Sequence, residues 1–302
     1  MTTMNDMTAL PEALSEQISK MKDSQKAQRR AENNCLKNGQ LAFWPEAERR
    51  SPNEIMRSSL FSAKSKKALR VQFKDNELFV WGSASLFYTG EELRTYDDEL
   101  IWLQICHYFR GIDIDNHGYI EFSTAQLLKA LKWPKNDDYY KRVDESINRL
   151  DCGRIKLRTR RDDKWIQFDT FSLIRKYKKI EKGNQSIWRI YMEPEVLKVY
   201  EGSCYTKCPW NIYLKLSPTD KKLLGWILSH KSPSAITTYD LRKLFSSNND
   251  NESSFKQFVN RSLKKLVKHE ILTGYEWQSE GVGDKRVNSV RPIRNTEYYI
   301  PQ

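Results

Sequence analysis

Long apolar runs are missing from this chain. Nowhere in its 302 residues does an uninterrupted stretch reach the ~18 apolar residues a membrane-crossing helix needs, so no spanning segment is expected. Cysteine is scarce as well: Cys35, Cys106, Cys152, Cys204 and Cys208 are the five, and the four histidines (His107, His117, His230 and His269) are scattered. Cys204 and Cys208 lie four apart, but no second pair completes a zinc site, so the expectation is reduced, partly buried thiols and no metal. No GxxxxGK[ST] string is present, which argues against ATP hydrolysis. Asp97, Asp98 and Glu99 do cluster, yet at a helix start, where the helix dipole accounts for them. No catalytic residue and no cofactor is therefore expected. The N-terminus also lacks the basic-then-apolar order of a secretory signal, and the expected location is the cytoplasm.

Positive charge is what the chain has in excess. Lys and Arg total 51 against 39 acids, a net charge of +12 and a pI near 9.3. Nine Trp, fifteen Tyr and twelve Phe supply a core, so the charge belongs to a folded protein rather than a basic tail. That combination points to nucleic acid as partner, and the length points to about two domains.

The most informative stretch is SSFKQFVNRSLKKLVKH, residues 253–269. As a helix it puts Phe255, Val259, Ser262, Leu263, Leu266 and Val267 on one face. The opposite face carries Lys256, Gln257, Asn260, Arg261, Lys264, Lys265 and Lys268 with no acid among them. Amides interleaved with cations suit DNA, because Gln257, Asn260 and Arg261 can reach base edges while Lys256, Lys264 and Lys268 hold phosphates. A short helix over 238–245 precedes it, with Thr237 and Asp240 at capping-box spacing. Ile271, Thr273, Tyr275 and Trp277 then alternate as a strand does, and a turn carrying Lys285 and Arg286 leads to a second strand near Val287. Helix, turn, basic helix and basic hairpin describe a winged helix. Ser217 and Pro218 open the helix before them, through His230.

The first half repeats the order. Asp97–Phe109 reads as a helix, Ser123 and Gln126 cap another, and 138–150 forms a third that buries Tyr140, Val143, Ile147 and Leu150. Its outer face is near neutral. The charge lies instead in the strands after it: residues 154–182 hold eleven Lys or Arg against four acids. There Ile155, Leu157 and Thr159 alternate, RRDDK turns, and Ile166 and Phe168 return, so Arg158, Arg160, Arg161 and Lys164 are the expected DNA contacts of this half. The expected fold is α+β: two tandem winged-helix domains, 60–200 and 201–302, behind a flexible tail (1–38) and an extended partner-binding segment (39–59). A single-strand binder would need exposed aromatics, whereas most Trp and Tyr here occupy core positions.

Three strings go further: SPNEIMRSSLF (51–61), YTGEELRTYDDELIW (88–102) and YTKCPWNIYLKLSP (205–218). They resemble the TrfA family of plasmid replication initiators, in order and at similar intervals, from about Gln40 to the C-terminus. The resemblance implies a protein that binds tandem repeats (iterons) in double-stranded origin DNA, aids duplex opening and recruits the host replicative helicase and initiator. It further implies a homodimer off DNA that binds repeats as a monomer. Gln40, Leu41, Phe43 and Trp44 are similar to the QLxLF-type peptide that bacterial proteins insert into the sliding clamp, and Pro45 disfavours helix at Trp44. A winged-helix transcriptional repressor is the alternative; two fused, non-identical modules suit direct repeats better than palindromes.

Overall fold

The structure is a computed structural model that describes residues 12–116, 118–161, 163–183, 185–201, 204–281 and 287–295. It opens with α1 (Glu12–Lys37), β1 (Glu48–Pro52), α2 (Asn53–Met56), β2 (Phe61–Ser62), β3 (Gln72–Leu78), β4 (Ala84–Glu91) and β5 (Leu93–Arg94). The first half continues through α3 (Asp98–Tyr108), β6 (Tyr119–Ser123), α4 (Thr124–Ala130), α5 (Asp137–Cys152), β7 (Arg154–Arg161), β8 (Lys164–Gln167), β9 (Lys176–Lys182), β10 (Gln185–Tyr191) and α6 (Glu195–Tyr200). The second half holds β11 (Tyr205–Pro209), α7 (Trp210–Tyr213), α8 (Pro218–Leu228), β12 (Ile236–Thr237), α9 (Thr238–Phe245), α10 (Glu252–Lys268), β13 (Leu272–Glu280) and β14 (Val287–Arg294).

The second half folds as its sequence pattern anticipates. Ser217 and Asp220 close a capping box with Pro218 in the first turn of α8, and Thr237 accepts from the Asp240 amide to start α9. Helices α8, α9 and α10 pack around Leu223, Leu224, Leu241, Leu244, Phe255, Val259 and Leu263, all buried. Beside them lies a three-stranded antiparallel sheet in the order β12-β14-β13, whose long hairpin is β13–β14.

In the first half the helix order also holds, and Ser123 with Gln126 closes the expected capping box. The expected hairpin forms as well, with β7 paired antiparallel to β8 from Arg158↔Gln167 to Arg161↔Lys164, but it is not the hairpin of this helical unit. The three-stranded sheet here has the order β6-β10-β9, so its hairpin is 176–191. Strands β7 and β8 instead join β3 and β4 in a separate four-stranded sheet, with Leu157 opposite Leu86 and Ile155 opposite Tyr88. Alternation marks β7, whereas β9 (KYKKIEK) has its apolar residues Tyr177 and Ile180 three apart and gives no such signal. Alternation identifies a strand but not its neighbour.

Three further expectations are corrected by packing. Residues 12–37 of the expected tail are helical, and the end of α1 is docked: buried Glu32 accepts from Arg50 at 2.8 Å and from the Tyr205 hydroxyl, and Leu36 enters the core. The segment 39–59 is not a free extended peptide. Leu41 is 1% and Trp44 2% exposed, and the Trp44 indole donates to His107 Nδ1 at 3.1 Å. Phe43 alone of the apolar clamp-like residues is outside, 77% exposed beneath the Arg110 guanidinium. Asp97, Asp98 and Glu99 are buried. Asp97 does cap α3, yet Asp98 also accepts from Ser146 (2.6 Å), Arg149 (3.0 Å) and Arg70 (2.8 Å), tying three segments together.

The two halves share one continuous core. Strand β1, from before the first half, pairs antiparallel with β11, after it, from Glu48↔Pro209 to Pro52↔Tyr205. Helix α8 packs beside them: Lys222 donates to the Ser58 carbonyl at 2.6 Å, Arg57 donates to Ser229 Oγ at 2.9 Å, and Trp81 meets Trp226 edge-on at 5.9 Å.

Buried His107 and half-buried His230 set an acid limit on this fold. Burial pushes His107 down to about 4, against the pull of Glu46, and burial beside Arg57 does the same to His230. Their unfolded value is about 6.5, so the unfolded chain binds more protons between those limits. The stability they contribute is complete above pH ~6.5 and is lost as pH falls towards 4. Asp97, pushed up by burial beside Asp98, acts in the opposite direction over part of that range. The test is therefore a difference: melting temperature followed from pH 7 to 5 should fall less steeply in His230→Gln than in the wild type. Equal slopes would show that His230 titrates normally in the fold.

Candidate nucleic-acid interface

Helix α10 is held from several sides. Asn251 caps it by accepting from the Ser254 amide at 2.8 Å. Glu252, the acid in its first turn, is occupied: it accepts from Thr238 at 2.7 Å, Arg242 at 2.5 Å and Asn288 at 2.8 Å, which ties α9, α10 and β14 together. Phe255, Val259, Ser262, Leu263 and Leu266 face inward. Outward stand Gln257, Arg261, Lys264 and Lys268, all exposed, and an acid-free face is thereby presented to solvent.

The same helix face is not uniform. Lys265 pairs with the buried Asp220 carboxylate at 2.8 Å, which neutralises one cation and holds that acid below the usual carboxylate range. Lys256 and Asn260 are half-buried against β13 rather than free. The Lys256 ammonium sits 4.7 Å from the Trp277 ring, and the Trp277 indole donates to Asn260 Oδ1 at 3.0 Å. Gln257, Asn260, Arg261 and Lys264 together line a shallow concavity of about 340 Å³. Lys285 and Arg286, expected at the hairpin tip, lie outside the described residues.

Of the four basic residues expected in the first half, one is structural. Arg161 reaches Glu54 at 3.1 Å and donates to the carbonyls of Val199 (2.8 Å), Glu201 (3.1 Å) and Lys198 (3.3 Å), fastening the end of α6 to α2. Arg158, Arg160 and Lys164 are exposed on the four-stranded sheet, with Arg158 stacked 4.4 Å from Trp165 and Arg160 paired to Asp163 at 3.1 Å. The hairpin that belongs to the helical unit carries a second basic set: Lys176, Lys178, Lys179 and Lys182 on β9, with Arg189 on β10. Lys176 and Arg189 stack on Tyr191 and Tyr119, each at 4.4 Å, and Lys179 pairs with Asp144 at 2.8 Å. Sequence reasoning counted these cations but named others, because charge density does not tell which hairpin flanks α5.

The outer side of α5 differs in kind from that of α10. It shows Asp137, Asp138, Asp144 and Glu145, while Arg142 is enclosed by Tyr96, Trp133 and Tyr139 at 5.5, 5.4 and 4.6 Å. Exposed Lys141 beside Glu145 and Lys179 beside Asp144 offset part of this charge, and the face stays net acidic, unlike that of α10. Among the described residues no group of three or more potential metal-ligating side chains occurs, and no helix is long and apolar enough to cross a membrane.

Comparison with known proteins gives this geometry a context. The family model described as TrfA protein matches residues 7–284, and the chain belongs to that family. A plasmid replication initiator protein TrfA of Escherichia coli is 29% identical over 228 residues, which cover 75% of this chain and 58% of the relative. The chain thus spans little more than half that relative's length. Among solved structures, domains 2 and 3 of RctB align with a TM-score of 0.50 at 14% identity, over 81% of this chain and 98% of that one, a likeness of fold. The Pi initiator protein in complex with iteron DNA aligns at 0.49 with 11% identity, over 82% and 98% of the two chains.

Arg161 and Lys264 separate a structural cation from an exposed one. Lys264→Ala should weaken binding to all duplexes alike and flatten the logarithmic salt dependence by about one unit, with the melting temperature unchanged. Arg161→Ala should lower the melting temperature and leave the salt slope alone, since it strands Glu54 and three carbonyls. Titration of each variant over a salt series, beside a thermal melt, reads both. A reversed pattern would exchange the two roles.

Proposed function

We propose that this member of the TrfA family is a plasmid replication initiator that binds direct-repeat duplex DNA at its origin, acting through binding energy with no chemistry of its own. The observation that carries the reading is the exposed, acid-free face of α10, braced between α9 and the β13–β14 hairpin. A helix of that width fits the major groove, and its mixture of amides and cations can both read bases and hold phosphates. Both halves are winged-helix units on this reading, and they divide the work. The second half reads the base edges. The first grips backbone through the β9–β10 cations, since its α5 is acidic where α10 is basic.

Two unlike modules in one chain match an asymmetric repeat rather than a palindrome, which favours an initiator over a dimeric repressor. Off DNA the first half supplies the self-association surface, and binding releases the monomer. Opening of the duplex and recruitment of the host helicase and host initiator follow from the family resemblance. The sliding clamp is not assigned to Gln40–Trp44, because Leu41 and Trp44 are committed to the core.

The test is binding to duplexes that carry one copy, tandem direct copies or inverted copies of a site from the chain's own plasmid. One chain per copy should protect about two helical turns, ~20 bp, and direct copies should bind at least as tightly as inverted ones. Sedimentation should show a dimer in the free protein and a monomer per copy on DNA. A stable dimer on each inverted site would favour the repressor instead.

A further inference from the structure

Trp277 dictates the orientation of Asn260. The indole nitrogen can only donate, so the Asn260 atom at 3.0 Å from it is the carbonyl oxygen. The amide cannot turn over without setting two donors against each other in a half-buried contact. The ammonium of Lys256, one turn earlier on α10, lies 4.7 Å from the same ring. A side chain of the hairpin thus positions two side chains of the helix. Asn260 shares the shallow concavity with Gln257, Arg261 and Lys264.

We propose that Trp277 is a specificity-determining positioning residue: by holding Asn260 Oδ1 against the hairpin it turns the Nδ2 donor towards base edges, and so selects guanine over adenine at one position of the site. The inference rests on the proposed reading of duplex DNA by α10. An unconstrained asparagine reads adenine with both amide arms, accepting from N6 and donating to N7. With the oxygen held by the hairpin, the outward arm is Nδ2, which suits the N7 and O6 acceptors of guanine. Arg261 and Lys264 are donors only and the Asn260 oxygen is turned towards the hairpin, so of the four residues at the concavity Gln257 is the one whose acceptor is not held there. The patch complements a run of acceptors, interrupted by a single donor-bearing base opposite Gln257.

The experiment begins with a duplex selected from a random pool by the wild-type chain, followed by every single-base replacement in it. Affinities are measured at one salt concentration for wild type, Trp277→Phe and Asn260→Asp. Wild type should prefer guanine over adenine at one position by about ten-fold, the worth of one good base contact. Trp277→Phe keeps a ring for packing and for Lys256 but loses the N–H. At that position alone the penalty for adenine should shrink to about two-fold, as the amide regains its second arm. Asn260→Asp keeps an acceptor for Trp277 and loses the outward donor, so the preference there should turn towards cytosine, whose amino group donates. Trp277→Phe weakening every duplex equally, or leaving every preference in place, overturns the proposal and reduces Trp277 to packing. If the Phe variant melts below the assay temperature, the Asn260→Asp preference decides alone. A wild type that ranks all duplexes equally fails the duplex-reading function itself, before any variant is compared.

Discussion

The pairing of β1 with β11 ties the two halves together. Two strands separated by the whole first half close on each other, and closing so long a loop costs only slightly more entropy than closing a short one. The pairing buries two adjacent arginines, and buried charges stabilise only when fully partnered. Arg49 lies 4.7 Å from the Trp210 ring, reaches Gln104 at 2.8 Å and donates to the backbone carbonyls of Glu46 and Glu48. Arg50 meets Glu32 at 2.8 Å and Tyr205 at 3.0 Å, and so draws in the end of α1. Through these two side chains one strand pair fastens α1, α3 and α7.

That ribbon sets α8 against the first half with little freedom. A Cβ at Gly225 would lie 2.4 Å from the Met56 methyl, so any side chain there would have to push the end of Met56 aside. Lys222 and Lys221 approach buried Glu99 of α3, whose carboxyl is pushed up by burial and pulled back by Lys222 and Tyr213. The first turn of α8 also supplies Asp220, the partner of Lys265 on α10. The helix that presents the basic face is therefore linked, through α8, to the contact between the halves.

The same order of helices serves opposite electrostatics. In the second half, the one acid near the start of α10 is consumed by Thr238, Arg242 and Asn288, which leaves cations and amides outside. In the first, Asp144 of α5 draws Lys179 from the neighbouring hairpin, and Arg142 is closed in by aromatic rings. Positive charge in the first half is displaced from the helix to the strands. The two units are related in architecture and differ in what they can hold.

Local energetics were legible in the sequence by itself. The caps at Ser123, Ser217 and Thr237, the buried face from Phe255 to Leu266, and the acid-free face opposite it follow from spacings of two, three and four residues, and the sequence states those in full. Strand partners were not legible, because alternation in β7 marks a strand without naming β4 as its neighbour, and β9 lacks strict alternation altogether. Burial of Leu41 and Trp44, the anchoring role of Arg161, the docking of α1 and the hold of Trp277 on Asn260 depend on residues 17 to 107 positions away, or on segments whose order in space the chain does not spell out. Hydrophobicity and charge say that a side chain needs a partner. Only the packed structure decides which partner it gets, and so which cations are left to meet a phosphate.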